Sequence, residues 1–463
     1  MNVRIEDELY NNLYRKYHGI EQETFISDLN IYEVFESINE TKTIIGRQYL
    51  FKTLCNPKSS IEEINILESE IKYFLEDKDL RKCFNASVNK LKDTNMYLLP
   101  ELFYSEKFVQ PKFHKIASYL LSLELIILCL SYFYFPLLAV LLPLLFVNTF
   151  IHFSNKNRLY FFKRTYHPVS ELLESSKVIK GKDSKNVFYT ERVDTAIKSL
   201  LPLRFKLTVL ATADYFSSSE LYLIFFILIE IIKTLTLFEV LLTKSLISSI
   251  NEKKREIKVL YKMIGKLDLI YSIFKLRENT KEWCYPTFTI PSDKTCQIQD
   301  VYHPLLQNPV TNSISLTGKS IVIAGSNMSG KTTFLRTVGI NNILAQTINT
   351  CFALKFQIPF LKTVTSLHNS DNIIEGESFY FAEAKNLLDL LSSDSKVKYL
   401  IIIDEIFKGT NSLERTAISK ATLNFLHQNC GIVFATFAPV RVHTKQNNSL
   451  NMIIENTKLG YGR

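Results

Sequence analysis

The sequence predicts an α + α/β protein: a helical core and lever carrying a transmembrane helical hairpin, followed by an α/β domain with a mainly parallel sheet. Three observations predict it. Nine of the 13 glycines lie from Gly318 onward, leaving Gly19, Gly46, Gly181 and Gly265 alone across the first two thirds, so turns are few there and helices long. The last third alternates short β-branched runs, 321-IVIA, 400-LIII and 432-IVFA, with helical patterns, as parallel strands joined by crossover helices do. Upstream, residues 117–153 form an apolar stretch of 37 residues with one acid, Glu124, and no Lys or Arg.

The totals bound the answer loosely. At 463 residues the chain is too long for one ordinary core, and 46% apolar with 22% charged residues excludes wholesale disorder. A net charge of +9 is compatible with nucleic acid, anionic lipid or neither. Seven scattered cysteines without a C-x-x-C pair suggest neither a disulfide framework nor a zinc site, and fit a reducing cytoplasm. The first twenty residues are dense in charge, so no conventional signal peptide is expected.

Residues 1–110 read as the first part of the helical core. Residues 111–160 hold the hairpin: the apolar run is too long for one span of about 20 residues and suits two short ones turning near Tyr132 to Pro136. Lys112 and Lys115 precede it, and Lys156, Arg158, Lys163 and Arg164 follow, so both ends are expected on the cytoplasmic side of the inner membrane. The competing reading is a buried helical pair in a soluble core. Residues 161–290 read as the second part of the core and lever, with no proline and one glycine from Phe205 to Tyr285. Within them, 219-SELYLIFFILIEIIKTLTLFEVLL-242 carries Glu230, Lys233 and Glu239, which favours a buried amphipathic helix over a membrane span. Residues 291–463 form the α/β domain.

That domain contains 321-IVIAGSNMSGKTTFLRT-337, in which Gly325, Gly330, Lys331 and Thr332 fit G-x-x-x-x-G-K-[ST] between a strand and a helix. Such a P-loop cradles phosphates with successive backbone N–H groups, here spanning Gly325, Ser326, Asn327, Met328, Ser329, Gly330, Lys331, Thr332 and Thr333, and with the positive end of the helix dipole. Lys331 is expected to reach the β and γ phosphates of ATP, and the Thr332 hydroxyl to ligate Mg2+. The strand 399-YLIIIDE-405 ends in two acids: Asp404 is expected to hold the metal through water, and Glu405 to orient and deprotonate an attacking water. The bland reading, two solvated acids at a strand end, is weakened by the glycine-rich loop upstream.

Three segments in order, 325-GSNMSGKTTFLRT-337, Ser378-Phe-Tyr-Phe-Ala-Glu383 and 404-DEIFKGTNS-412, resemble the ABC-type ATPase domain of the MutS family. Upstream, 31-IYEVFESINETKTIIGRQYLFKTLCNP-57 is similar to the start of that family's helical core, matching its T-x-x-G and following leucine with Thr43, Gly46 and Leu50. The resemblance implies an ATPase working as a homodimer, a nucleotide-switched clamp linked to DNA mismatch repair and DNA binding. It implies that Ser378 acts on the partner's γ phosphate, that Asn327 holds the loop and that His303 with Pro304 opens the domain. As a simpler role, Ser378 also suits a helix N-cap. Val310 is expected as a core valine rather than an adenine contact.

Three departures stand out. No counterpart of the mismatch-reading N-terminal domain is seen, a membrane hairpin is inserted, and Phe437 follows 431-GIVFAT-436 where the family places a histidine that senses the γ phosphate. The residues after Phe437 do not resemble the family's closing strands, which fits either a slow, degenerate ATPase or a frame-shifted end. Two other classes compete: a transporter ATPase, opposed by the lack of an L-S-G-G-Q signature, and a structural module that binds nucleotide without turning it over.

Overall fold

The structure is a computed structural model and describes residues 3–21, 23–105, 110–156, 160–183, 187–188, 190–207, 223–290, 294–324, 329–367, 398–404, 412–437 and 452–455. It is predominantly helical, with two small sheets, one parallel and one mixed, as an α + α/β chain should be. The chain forms two compact units: one from Met1–His18, Thr41–Tyr49 and Phe74–Leu269, the other from Gly19–Glu40, Leu50–Tyr73 and Ile270–Arg463. Two early segments therefore belong to the C-terminal unit, which the sequence reading did not assign.

In the first unit, the helix Val3–His18 buries Asp7, Tyr10, Asn11 and Arg15, residues three or four apart on one face. That face is unusually polar, and the Asp7 carboxylate on it is held by three donors. Asp7 accepts from Arg47 Nε and Nη2, both at 2.7 Å, and from the Tyr97 hydroxyl at 2.6 Å. Tyr10 packs on Tyr261 with ring centroids 5.0 Å apart, and the Tyr261 hydroxyl donates to Gln48 Oε1 at 2.7 Å.

The T-x-x-G pattern has a physical cause here. Thr43 precedes the helix Ile44–Leu54, and its hydroxyl accepts from Gly46 N at 2.8 Å, capping the first turn. The same hydroxyl donates to the buried Asp268 Oδ2 at 2.6 Å, while Lys42 N and Thr43 N donate to the carboxylate at 2.9 and 2.8 Å. A Cβ on Gly46 would lie 2.0 Å from Asp268 Oδ2, so the position needs glycine for space. Burial holds the Asp268 carboxyl up at about 6 despite its three donors.

The apolar stretch forms the helix His114–Ser131, a short 3-10 segment Phe135–Val140 and the helix Leu141–Lys156, breaking where the sequence placed the turn. Both candidate spans, His114–Ser131 and Phe135–Asn155, are long and apolar enough to cross a membrane, and only 11% and 17% of them is buried. They lie side by side, since Asn148 Nδ2 donates to Glu124 Oε1 at 2.7 Å. At their base, Asn155 bonds both the N–H and the carbonyl of Lys112, at 2.7 and 3.0 Å. The run 219–242 differs from the single amphipathic helix expected: Leu237, at φ 47°, breaks it into Leu223–Thr236 and Phe238–Glu252.

In the second unit, β1 (Pro286–Thr289), β2 (Cys296–Val301), β3 (Asn312–Leu316) and β5 (Lys355–Pro359) form a mixed sheet in the order β1-β5-β2-β3. β4 (Ser320–Ala324), β6 (Lys362–Ser366), β7 (Tyr399–Ile403), β8 (Gly431–Phe437) and β9 (Met452–Glu455) form an all-parallel sheet in the order β6-β7-β8-β4-β9. The three β-branched runs are thus adjacent strands, β7, β8 and β4; β9 was not foreseen. The helix Lys331–Ile348 follows β4 and is almost wholly buried. Its polar residues are pinned: Asn342 Nδ2 donates to Thr363 Oγ1 at 2.7 Å and Gln346 Nε2 to Leu361 O at 2.7 Å. The early segments join through Asp28, whose Oδ2 accepts from Leu367 N at 2.9 Å, and Glu68, which takes a two-pronged ion pair from Arg277 at 3.0 and 2.9 Å.

The Asp268 cap generates a signed prediction. The unfolded chain releases this proton near 3.8 and the native unit near 6, so the stabilising contribution is complete below about 3.8 and lost as pH rises through 6. The difference in unfolding temperature between wild type and Asp268→Asn should therefore change over pH 4 to 6 and be flat above it. Asp268→Ala should be more harmful at every pH, because each buried N–H left unpaired costs about 1–3 kcal/mol. Unfolding followed by circular dichroism at several pH values measures both.

Candidate functional site

The candidate site lies at the C-terminal edge of the parallel sheet, where β4, β7 and β8 end. Such edges gather ligand sites because loops and helix N-termini converge there. After β4 the chain reaches Gly330, which takes φ 85° and ψ 8°, a left-handed conformation that glycine adopts without a Cβ penalty. The helix starts at the next residue, and Phe334 N donates to Gly330 O at 2.9 Å to close its first turn. Lys331, at its first position, is buried; Thr332 is half-buried and Thr333 exposed.

Asp404 follows β7, whose five residues are all buried, and Asp404 N still continues the ladder by donating to Ser366 O at 3.0 Å. This apolar strand gives the carboxylate a rigid base. Thr332 Oγ1 donates to Asp404 Oδ2 at 2.7 Å, so the two residues assigned from sequence to one metal ion meet in space although 72 positions apart. Thr436 Oγ1 donates to the other oxygen, Asp404 Oδ1. Strand register explains this third member: Ile323 pairs with Thr436 and Ile403 with Ala435, which sets Thr436 between the end of β4 and Asp404. Sequence reasoning missed Thr436, for which the one available signal was its place at the end of the predicted strand 432-IVFA.

The remaining assigned residues divide. Gly325, Ser326, Asn327, Met328, Ser378 and Glu405 lie outside the described residues, and Ser329 forms the bend before Gly330. His303 Nδ1 accepts from Leu305 N at 3.3 Å, and burial together with the Arg336 charge lowers its pKa to about 4, so the ring is neutral near pH 7. Val310, expected in the core, is 37% exposed in the loop before β3, which corrects that reading. Phe437 ends β8 in register with Ala324. Behind the site, Ser320 Oγ lies 2.7 Å from His427 Nδ1 and accepts from Val433 N at 2.9 Å, tying β4 to β8 and to the helix Ser412–Asn429.

Among the described residues no cluster of three or more His, Cys, Asp or Glu side chains could hold a metal ion by itself. The arrangement supplies instead one carboxylate and two hydroxyls at the mouth of a helix N-terminus. That donor set suits a hard cation sharing its shell with an anion rather than a transition metal in an all-protein cage.

A family comparison falls on this domain. Residues 321–459 match the family described as MutS domain V, a match that runs through β4, β7 and β8 and past β9. The DNA mismatch repair protein MutS of Bacillus licheniformis is 31% identical over 199 residues, 40% of this chain and 22% of the relative. That of Haloquadratum walsbyi is 33% identical over 174 residues, 36% of this chain and 18% of the relative. That of Aquifex pyrophilus is 30% identical over 176 residues, 36% and 20% respectively. The chain thus spans about a fifth of the length of these curated relatives. The domain that carries Lys331, Thr332, Asp404 and Thr436 is thus similar to domain V of MutS proteins.

Proposed function

We propose that the chain binds ATP with Mg2+ at the end of β4 and hydrolyses it, as a nucleotide-switched dimeric clamp of the MutS type attached to the cytoplasmic face of the inner membrane. One observation carries the nucleotide reading: the direct bond from Thr332 to Asp404, within a domain matched as MutS domain V. A phosphate chain would lie against the helix N-terminus at Gly330 and Lys331, where the helix dipole favours anions. The pair Thr332 and Asp404 fits Mg2+, being two adjacent hard oxygens that leave the rest of the shell to water and phosphate. When bound, the ion would neutralise charge on the phosphate oxygens. Thr436 orients Asp404 from the opposite side, and Glu405, the next residue in sequence, is the proposed base for the attacking water.

Dimerisation, with Ser378 acting on the partner's nucleotide, and binding to DNA are carried over from the resemblance. The membrane attachment rests on the exposed apolar faces of the hairpin, where Tyr132, Phe135 and Phe146 are 88%, 77% and 78% exposed. A second reading, a membrane-attached module that binds nucleotide without turnover, is favoured by Phe437, which can offer no hydrogen bond to a γ phosphate.

Detergent-purified protein tests these readings. Lys331→Ala should abolish binding of a fluorescent ATP analogue. Glu405→Ala should keep binding and lose turnover by about 100-fold or more, the usual weight of a general base; turnover surviving in that variant would overturn the assignment of the base. No turnover in the wild type, with tight binding, would favour the second reading. Thr436→Val should raise the Mg2+ concentration needed for nucleotide binding and Thr436→Ser should restore it, since hydrogen bonds to charged groups are worth about 1.5–3 kcal/mol. Alkaline washing of membranes should leave the protein in the pellet, and its release into the supernatant would end the hairpin proposal.

A further inference from the structure

We propose that the two helices meeting at Leu237 form a third membrane-embedded element, a re-entrant wedge whose tip enters the acyl-chain layer beside the hairpin. This rests on the membrane reading of the hairpin and extends it to a segment whose charges speak against a full span.

The first observation is depth. Asn148 Nδ2 donates both to Glu124 Oε1 at 2.7 Å and to Leu235 O at 2.9 Å, so all three lie at one level. Asn148 stands eight residues from the base of its helix at Lys156, and Glu124 ten from the base at His114. At 1.5 Å per residue that level is about 12–15 Å from the base, close to the middle of a hydrocarbon layer about 30 Å thick. One turn nearer the base, His152 Nε2 lies 3.2 Å from Glu230 Oε2. The helix Leu223–Thr236 therefore descends toward the hairpin tip as its numbers rise, and Phe238–Glu252 follows the break. The 14 residues of Leu223–Thr236 reach about 21 Å, too short to cross and long enough to enter.

The second observation is inverted polarity. Lys233 Nζ lies 3.1 Å from Glu230 Oε1 and 3.6 Å from Glu239 Oε2, and the side chains of Lys233 and Glu239 are each only 8% exposed. The charges are thus turned inward and paired. Outward stand Ile231, Ile232, Leu235 and Phe238, between 44% and 57% exposed. A helix facing water has the opposite arrangement, whereas ionisable groups at membrane depth face the bundle interior and pair there.

The third observation is the break itself. Leu237 adopts φ 47°, costly for a leucine, yet it is 1% exposed and packs with Ala117, Ile151 and Val240. Non-helical backbone at membrane depth is tolerated only where protein covers it, and this one is covered. Wedge and hairpin both carry exposed large apolar side chains, which on this proposal acyl chains cover.

Tryptophan quenching tests the proposal on the full-length chain, which has a single tryptophan, Trp283. In a Trp283→Phe background, single tryptophans are placed by Ile232→Trp and Leu235→Trp in the wedge, Phe146→Trp in the hairpin and Arg192→Trp on an exposed charged helix. If that background fails to fold, Trp283 is kept and its quenching subtracted. Protein is reconstituted into vesicles of phosphatidylcholine and phosphatidylglycerol, with brominated acyl chains or aqueous iodide as quencher. Quenching by brominated lipid at Ile232 and Leu235 comparable with Phe146, with iodide protection relative to Arg192, is the expected result. Iodide quenching in the wedge with lipid quenching kept at Phe146 overturns the wedge and leaves the hairpin. Iodide quenching at all positions removes the hairpin reading as well. Protection from both quenchers in the wedge means that a second copy or another protein covers it, and overturns the proposal.

Discussion

The Asp404 carboxylate, held between two threonine hydroxyls, is the contact on which the site depends. Thr332 brings the N-terminus of a buried helix and Thr436 brings the neighbouring strand, so three consecutive strand ends share one small anion. Its rigidity comes from below. Every side chain of β7 is buried, and Val322, Ile401, Ile403, Val433 and Ala435 form one apolar cluster with Leu423 and Leu426 beneath the carboxylate.

Much of this could be read from the residues, for reasons that also explain the rest. β-branched runs bounded by turns gave β4, β7 and β8, because a parallel strand covered on both faces must be continuously apolar. Thr332 and Asp404, which meet in the fold, were each marked by a local pattern, a glycine-rich loop before a helix and an apolar strand ending in acids. Thr436 was not, because a threonine ending a strand has no local mark and its role appears only once the register sets it beside Asp404. Asp268 was hidden in the same way: in sequence it is one acid on a charged helix, and only the fold sets it under Thr43, 225 positions away. The run 219–242 shows a subtler limit. Its charges were visible, but the direction they face was not, and that direction inverts the meaning of the apolar residues between them.

Both units illustrate how burying an ionisable group is made tolerable. Asp268 is surrounded by donors and keeps its proton to about pH 6, Lys233 is shared by two acids, and Arg277 pairs with Glu68 while stacking 5.0 Å from Trp283 and 4.9 Å from Tyr285. In each case the buried group has more than one partner, so that no single contact carries the whole cost of its desolvation.

The segmented make-up of the C-terminal unit carries a consequence for biogenesis. Asp28 waits for Leu367, 339 residues later, before its carboxylate meets the amide it caps. At translation rates of about 5–20 residues per second, that is roughly 20–70 s during which the early segment must be kept from wrong partners. If the hairpin enters the bilayer as proposed, it would by then have anchored the ribosome-bound chain, so the α/β domain would be assembled last, on a surface already tethered.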